Sequence, residues 1–547
     1  MINISFIPKH ILLKYFHTIR HLYCFQIIGR LYFIIKRRFG LIRPAYSPQS
    51  IAGEIIPSVP FLLYEPWNKS SDIENGRFCF LNKTIDMGTA IDWNIESGSL
   101  LWKYNLHYFQ YLPIINRHIQ VDICRQWIQN NKCYKGVGWN PYPLSLRIVN
   151  WIKSRVSDKD ILKSLYEQSS YQYRSIEYFY SGNHLLENAR ALIFAGIYFD
   201  GIGESKKWKE KGLEIFRTEL PDQILKDGGF YERSPMYHAL MLEVLLDVLN
   251  ILGREHPDRT LFTENAEKMS DFLLSMTHPS GKIALFNDTT EEIAPPVSTL
   301  LSYVKNLILY TPEKKTVFPD SGYYIVDKDP IYCIIDGGPP GPDHLLAHAH
   351  ADIFSYELSV FGEKIIVDTG VYEYKAGKMR NYNRSTRAHN TVCIDMVNQI
   401  ECWNSFRVAR RYKPYNVFLT EIDNKLFEYQ GEYDGYSKMI GDGIIHKRNM
   451  KFYIEQRKIE MLDTVDGKGI HYIENSIHLH PEVKITNDYN TLRISRNNIK
   501  ISLHTNNSYM IEDSWYCPQF GLKLPNKAIR IGGEMKLPSE VLYTIYY

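Results

Sequence analysis

The sequence predicts a two-part α+β protein, a helical first half followed by an antiparallel β half. Three observations predict it. Between residues 100 and 310 the apolar residues recur at helical spacing. Beyond 320 they fall into short β-branched and aromatic runs separated by turn signals. A chain of 547 residues, 44% hydrophobic and 23% charged, has room for more than one core.

Residues 1–45 form a segment of their own, apolar and basic, with Ile11-Leu12-Leu13-Lys14-Tyr15-Phe16 and then Ile27-Ile28-Gly29-Arg30-Leu31-Tyr32-Phe33-Ile34-Ile35-Lys36-Arg37-Arg38. No run is long enough to span a bilayer and no small-residue cleavage site follows, so no cleavable signal peptide is expected. An amphipathic basic helix fits. Whether it lies on a membrane surface or on the domain behind it stays open. The protein is accordingly expected in the cytoplasm or at a membrane of a bacterium.

Residues 46–310 read as an all-α domain. Met236 to Leu252 is one long apolar helix stopped by Gly253, and Leu185 to Gly196 is another. Similar segments fall near 105–117, 144–155, 160–179, 206–219 and 262–277. The boundary lies in 305–320. Residues 311–547 then carry β-type runs at Tyr323–Val326, Ile331–Ile335, Lys364–Val367, Ile459–Leu462 and Val541–Ile545, with turns at Asp466-Gly467 and Asn497-Asn498. An antiparallel sandwich is the expected form.

The eight cysteines have no CxxC pair, which argues against a zinc ribbon and a disulfide scaffold and for buried reduced thiols. A net charge of +3 does not select an anionic partner, and no nucleic-acid partner is expected. The 40 tyrosines and 9 tryptophans suit a sugar-stacking cleft or ordinary packing equally.

Four clusters could carry chemistry. The stretch His348-Ala349-His350-Ala351-Asp352 follows a Gly/Pro-rich entry at 337–342, and as a strand it would put three ionisable groups on one face, for a metal or for acid/base work. Ser181-Gly182-Asn183-His184 opens a helix in which Glu187, three residues on, could orient the imidazole. Ser234-Pro235 is a helix entry that places Tyr237 in the first turn, where the helix dipole would lower its pKa toward that of a base. Val367-Asp368-Thr369-Gly370 continues the first of these, and Arg384-Ser385-Thr386-Arg387-Ala388-His389-Asn390-Thr391 is the fourth.

Together these elements resemble the heparinase II/III family of polysaccharide lyases. The resemblance extends to Gly138-Trp139-Asn140-Pro141 with Leu144-Ser145-Leu146-Arg147, covers residues 95 to 470, and leaves the first 60 unexplained. It implies an incomplete (α/α) toroid followed by an antiparallel β-sandwich, with the site between them. It also implies cleavage of an acidic, uronic-acid polysaccharide by β-elimination; without an expected signal peptide, such an enzyme would serve capsule or exopolysaccharide metabolism or degrade imported fragments. Such a reaction must neutralise the sugar carboxylate, remove the C5 proton and protonate the leaving oxygen. Carried over residue by residue, Asn183 and His184 neutralise the carboxylate, Tyr237 is base, acid or both, and His348 is its partner. Glu187, Arg233, Arg384 and Arg387 contact the substrate. His350, Asp368 and His389 hold a structural Zn2+, with Asp352 orienting a histidine. A glycan-binding or assembly protein keeping the fold without turnover, and a zinc hydrolase, are the readings from other classes.

Overall fold

The computed structural model describes residues 9–131, 134–488 and 491–547. Helices run as far as Ile308 and strands dominate from Val317 onward. Ser99 opens the helix Leu100–Tyr108 by accepting from the Trp102 amide at 3.1 Å. Phe109 ends it in a left-handed conformation (φ 59°). The helix expected at 105–117 is therefore divided, and a second one spans Arg117–Asn130. Phe109 continues the apolar period while its backbone breaks it, which is why the pattern misleads. That helix and Val297–Ile308 are not among those the periodicity predicts.

Two helices lie at the centre. Gly182–Tyr198 and Pro235–Ile251 are buried along nearly their whole length. The neighbouring Ser205–Gln223 approaches the first so closely that a Cβ on Gly212 would sit 2.7 Å from the Ala189 carbonyl. Truncating a fully buried leucine here, Leu186 or Leu245, would cost about 2–5 kcal/mol. Both central helices start at the same end of the helical half. Asn183 and Tyr237 thus emerge side by side.

The second half holds a five-stranded, a four-stranded, an eight-stranded and a two-stranded sheet, the strands in each paired antiparallel. Leu426–Tyr433 buries every second side chain, Phe427, Tyr429 and Tyr433 inward and the charged Glu428 and Glu432 outward. Tyr324, Leu358, Tyr429, Met461, Ile473, Ile529 and Ile545 join the three larger sheets in one core. The turn at Asn497-Asn498 links Thr491–Arg496 to Ile499–Thr505, with Asn497 at φ 52°.

The stretch His348–Asp352 is not a strand. It is a loop whose backbone is satisfied elsewhere: the His350 amide donates to Asn287 Oδ1 at 3.0 Å, and the Ala351 amide to the Arg384 carbonyl at 3.2 Å. With no ladder, its side chains are placed by tertiary contacts and not by alternation: His348 and His350 both reach Asp288, and His350 and Asp352 approach His389.

Among the described residues all cysteines are free. Four are buried, Cys79 and Cys402 are partly so, and Cys24 is exposed; Cys133 lies outside the described residues. The first 40 residues include two helices, Lys9–Ile19 and Cys24–Arg38. The first docks on the β half, Thr18 Oγ1 donating to the Val408 carbonyl at 3.2 Å and accepting from Trp403 Nε1 at 3.1 Å. The second crosses to the helical half, with Phe33 against Phe179 and Arg37 Nη2 on the Gly136 carbonyl at 2.9 Å. Their outer sides leave Leu12, Phe16, Ile28, Leu31, Ile35 and Phe39 exposed. Among the described residues no helix is long and apolar enough to cross a membrane.

Candidate active site

The site forms where the starts of the two central helices meet the 348–352 loop. Gly182, at φ 57°, brings the chain into the helix with the Asn183 amide on Glu232 Oε1 at 2.9 Å, and Asn183 Nδ2 reaches both oxygens of the same carboxylate at 3.2 Å. A Cβ on Gly182 would lie 2.2 Å from Glu232 Oε1, so only glycine leaves room for this contact. Glu232 is buried, and its other oxygen meets His348 Nε2 at 3.1 Å. His348 Nδ1 meets Asp288 Oδ2 at 2.9 Å. Asp288 also holds His350 Nε2 at 2.9 Å and both terminal nitrogens of Arg380.

These contacts set the charges. Burial alone would keep His348 neutral, but two carboxylates raise its pKa to about 9. Both its ring nitrogens therefore carry protons, and it presents no lone pair. Burial also works against ionised Asp288, yet Arg380 and the two histidines outweigh it and hold the carboxyl well below its ordinary range.

Tyr237 lies over this network. Its amide donates to Ser234 Oγ at 3.3 Å, the helix cap expected at that position. Its ring stacks on His348 with centroids 4.0 Å apart, and its hydroxyl meets Tyr374 Oη at 3.2 Å. The expected lowering of its pKa does not occur. Burial first, then Tyr374, Asp288 and Glu232, push the phenol well above its ordinary value, outweighing a helix dipole worth about 0.3–1 kcal/mol. Tyr237 is a neutral phenol.

His184 is a third of the way exposed, with Nδ1 on Glu177 Oε2 at 3.2 Å and its ring between Tyr142 and Tyr180. Its partner is therefore Glu177, not Glu187. Glu187 turns inward to Arg190 at 2.7 Å, one helical turn on, and is buried away from the cleft. Arg233 and Arg387 are likewise taken by the protein. Arg233 points to the Ser321 carbonyl, and Arg387 pairs with Glu474 at 2.7 Å and Glu512 at 3.1 Å. Arg384 is buried against backbone carbonyls.

A second buried cluster lies beside the first. His350, Asp352 and His389 each offer a ligand atom within 4.8 Å of the others, and His350 Nδ1, Asp352 Oδ2 and His389 Nε2 are buried without partners. Burial lowers the His350 pKa to about 3 and raises that of Asp352 to about 6. A neutral imidazole and an uncompensated carboxylate fit a divalent cation. The expected places of the two aspartates are exchanged. Asp352 closes the group, while Asp368 Oδ2 holds the other ring nitrogen of His389 at 2.7 Å. Proximity in the chain favoured Asp352; the motif pattern favoured Asp368.

Glu232, Asp288, Arg380, Tyr374 and Glu177 were not among the expected site residues. Glu232 stands two residues before the Ser234-Pro235 helix entry, so its neighbourhood was visible. Asp288 and Arg380 have no local signature and are found only by the fold.

Two adjoining family models match the chain, heparinase II/III N-terminus over residues 148–317 and heparinase II/III-like, C-terminal over 311–543. The chain belongs to the heparinase II/III family. It is 27% identical over 377 residues to a heparin-sulfate lyase of Pedobacter heparinus, covering 58% of this chain and 55% of that one. A heparin-sulfate lyase of Bacteroides stercoris is 27% identical over 341 residues, covering 56% and 47%. The chain thus spans about half the length of these curated relatives. A solved heparinase III superposes with a TM-score of 0.66 at 19% identity, over 83% of this chain and 78% of that one. A heparan sulfate lyase from Pedobacter heparinus gives 0.58 at 18%, over 94% and 88%. The fold of this heparinase II/III protein, helices followed by antiparallel sheets, is shared with both.

Proposed function

We propose that this protein is a polysaccharide lyase cleaving a uronic-acid glycan by β-elimination, with residues 46–310 as an incomplete (α/α) toroid and 311–547 as the β-sandwich domain. The observation that carries the reading is Tyr237 stacked at 4.0 Å on His348, whose two ring nitrogens each face a carboxylate, beside Asn183 and Arg380. A glycan-binding module has no use for that arrangement.

The roles follow from the protonation states. The sugar carboxylate meets Asn183 and the positive charge of His348, which reduce the cost of the enolate-like intermediate. His348 has no lone pair, so it is not the base. His184, its Nδ1–H fixed on Glu177, has Nε2 free to take the C5 proton. As the C5–H electrons form the C4=C5 bond and the C4–O bond breaks, Tyr237 gives its proton to the departing oxygen. Tyr237 acting as both base and acid would need a phenolate, which its surroundings oppose. A Zn2+ would be held by His350, Asp352 and His389, with Asp368 and Asp288 fixing the two imidazoles. A wholly buried site gives no approach to substrate, so the ion would supply rigidity to the loop carrying His348 rather than a hydrolytic water.

The test is ultraviolet absorbance from the conjugated product on a panel of uronate polymers. Absorbance should rise on at least one polymer, and Tyr237→Phe should lower the rate by about 10²–10⁴-fold with the fold intact. Binding with no absorbance change on any polymer would favour the assembly-protein reading; loss of activity on chelation without unsaturated product would favour a hydrolase.

The N-terminal helices are proposed as a contact with an anionic membrane surface, in keeping with a role in capsule or exopolysaccharide metabolism. Their exposed apolar side lies in a stretch with no acidic residue before Glu54 and with Lys9, Lys14, Arg20, Arg30, Lys36, Arg37, Arg38 and Arg43. Flotation with phosphatidylglycerol vesicles should carry the protein up, and Ile28→Glu with Leu31→Glu should abolish this. Flotation that fails, or is indifferent to the pair, would refute it.

A further inference from the structure

Behind the loop that carries His348 lies a cavity of about 310 Å³, between the helix Lys9–Ile19 and the segment 381–404. Its walls are Lys14, Asn381, Arg384, Asn398, Trp403 and Asn404. Asn381 and Asn404 are exposed at its mouth, and Arg384 is buried at its floor.

Arg384 is the decisive residue. Its Nε donates to the Ala349 carbonyl at 3.0 Å and its Nη1 to the Asn404 and Ser405 carbonyls at 3.3 Å. Its Nη2 is buried with no partner. The arginines beside it are neutralised, Arg380 by Asp288 and Arg387 by Glu474. Among the described residues no carboxylate forms an ion pair with Arg384. A buried cation without a counter-charge is costly, and polar atoms left unpaired at a cavity wall mark where a partner belongs. The rest of the lining agrees. Lys14 adds a second cation, 3.9 Å from its nearest carboxylate oxygen on Glu401. The three asparagine amides add neutral donors.

We propose that this cavity binds the anionic substituent of a sugar, a sulfate or a carboxylate, as a subsite beside the catalytic centre. That the sugar belongs to the polymer being cleaved rests on the lyase reading; that the cavity takes an anion does not. Arg384 holds the carbonyl of Ala349, which lies between His348 and His350, so a filled cavity would steady the loop that carries both histidines. Guanidinium and ammonium groups suit an oxyanion through charge-assisted hydrogen bonds.

The test uses the full chain carrying Tyr237→Phe, so that binding is read without turnover. Calorimetry with glucosamine 6-sulfate in one arm and glucuronic acid in the other distinguishes the two anions. Arg384→Gln risks misfolding because of its backbone contacts, so the informative variants are Lys14→Glu and Asn381→Asp at the rim, with thermal unfolding as the control for fold. At least one sugar should bind, and each variant should weaken it about tenfold, the scale of one charge-assisted contact. If neither sugar binds, or if both rim variants leave affinity unchanged, the proposal is wrong. Binding with these properties in a protein that forms no unsaturated product would refute the lyase reading and leave the subsite standing.

Discussion

Two aspartates in this molecule are clasped in nearly the same way and do different things. Asp288 is held by Arg380, His348 and His350; Asp463 by Arg448, His446 and Asn475. Both carboxyls sit well below their ordinary pKa, chiefly because an arginine faces each in a buried site. The histidines differ. His446 shares its single carboxylate with Arg448, and burial lowers its pKa. His348 has Glu232 as well, and its pKa rises to about 9. The Asp463 cluster is sealed between paired strands, Arg448 opposite Asp463 in the ladder, and ties the sheet to the Phe354 and Asn390 carbonyls. The Asp288 cluster ends under Tyr237, which is partly exposed. Residue types alone do not distinguish the two clusters; a second carboxylate on the histidine and a partly exposed neighbour do.

Substituting each aspartate sharpens that difference. Asp288→Asn should bring turnover to background and, because it strands a buried arginine and histidine, cost about 3–5 kcal/mol of stability. Asp463→Asn should cost a similar amount by denaturant melts, yet the folded fraction should turn over at the wild-type rate. Activity surviving the first change, or lost from well-folded protein after the second, would erase the distinction.

The pH profile comes next. Tyr374, Asp288 and Glu232 face Tyr237 and raise its pKa, while His348 beneath the ring and Arg380 across Tyr374 are the nearby cations. An acid works while protonated, so activity depending on Tyr237 is present below its folded pKa and lost as pH rises through it. His348, whose positive charge faces the sugar carboxylate, loses its proton first, so the alkaline limb of kcat should follow its pKa of about 9, with Tyr237 still protonated there. A rate still climbing beyond that value would mean a phenolate base.

The smallest effect is expected from the metal cluster. Chelation, or Asp352→Asn, should remove bound zinc by elemental analysis and lower the thermal midpoint by several degrees, with kcat falling less than for Asp288→Asn. Asp368→Asn should weaken zinc binding by about 10–100-fold, as expected of a group that orients a ligand. Zinc lost entirely with Asp368→Asn and retained with Asp352→Asn would reverse their places.

How much of this was legible in the sequence follows from range. The division into helices and sheets, the Ser234–Pro235 entry and the hairpin at Asn497 were visible because each depends on neighbours in the chain. The 348–352 loop was misread because its alternation is that of a strand, while its hydrogen bonds go to Asn287 and Arg384. Asn183, Tyr237 and His348 were marked by motifs, and the fold gathers them around Glu232 and Asp288. Their protonation was not, since it depends on Glu232 and Asp288, brought in from distant segments. The dipole argument for Tyr237 was sound locally and lost to burial.

The most direct measurement is a crystal structure of the Tyr237→Phe protein with a uronate oligosaccharide that the ultraviolet assay identifies as substrate. The account predicts one uronate with its carboxylate against Asn183 and His348, its C5 hydrogen toward His184 Nε2, and the glycosidic oxygen over the ring at position 237. An oligosaccharide bound with no carboxylate at Asn183, or with its glycosidic oxygen away from position 237, would contradict it.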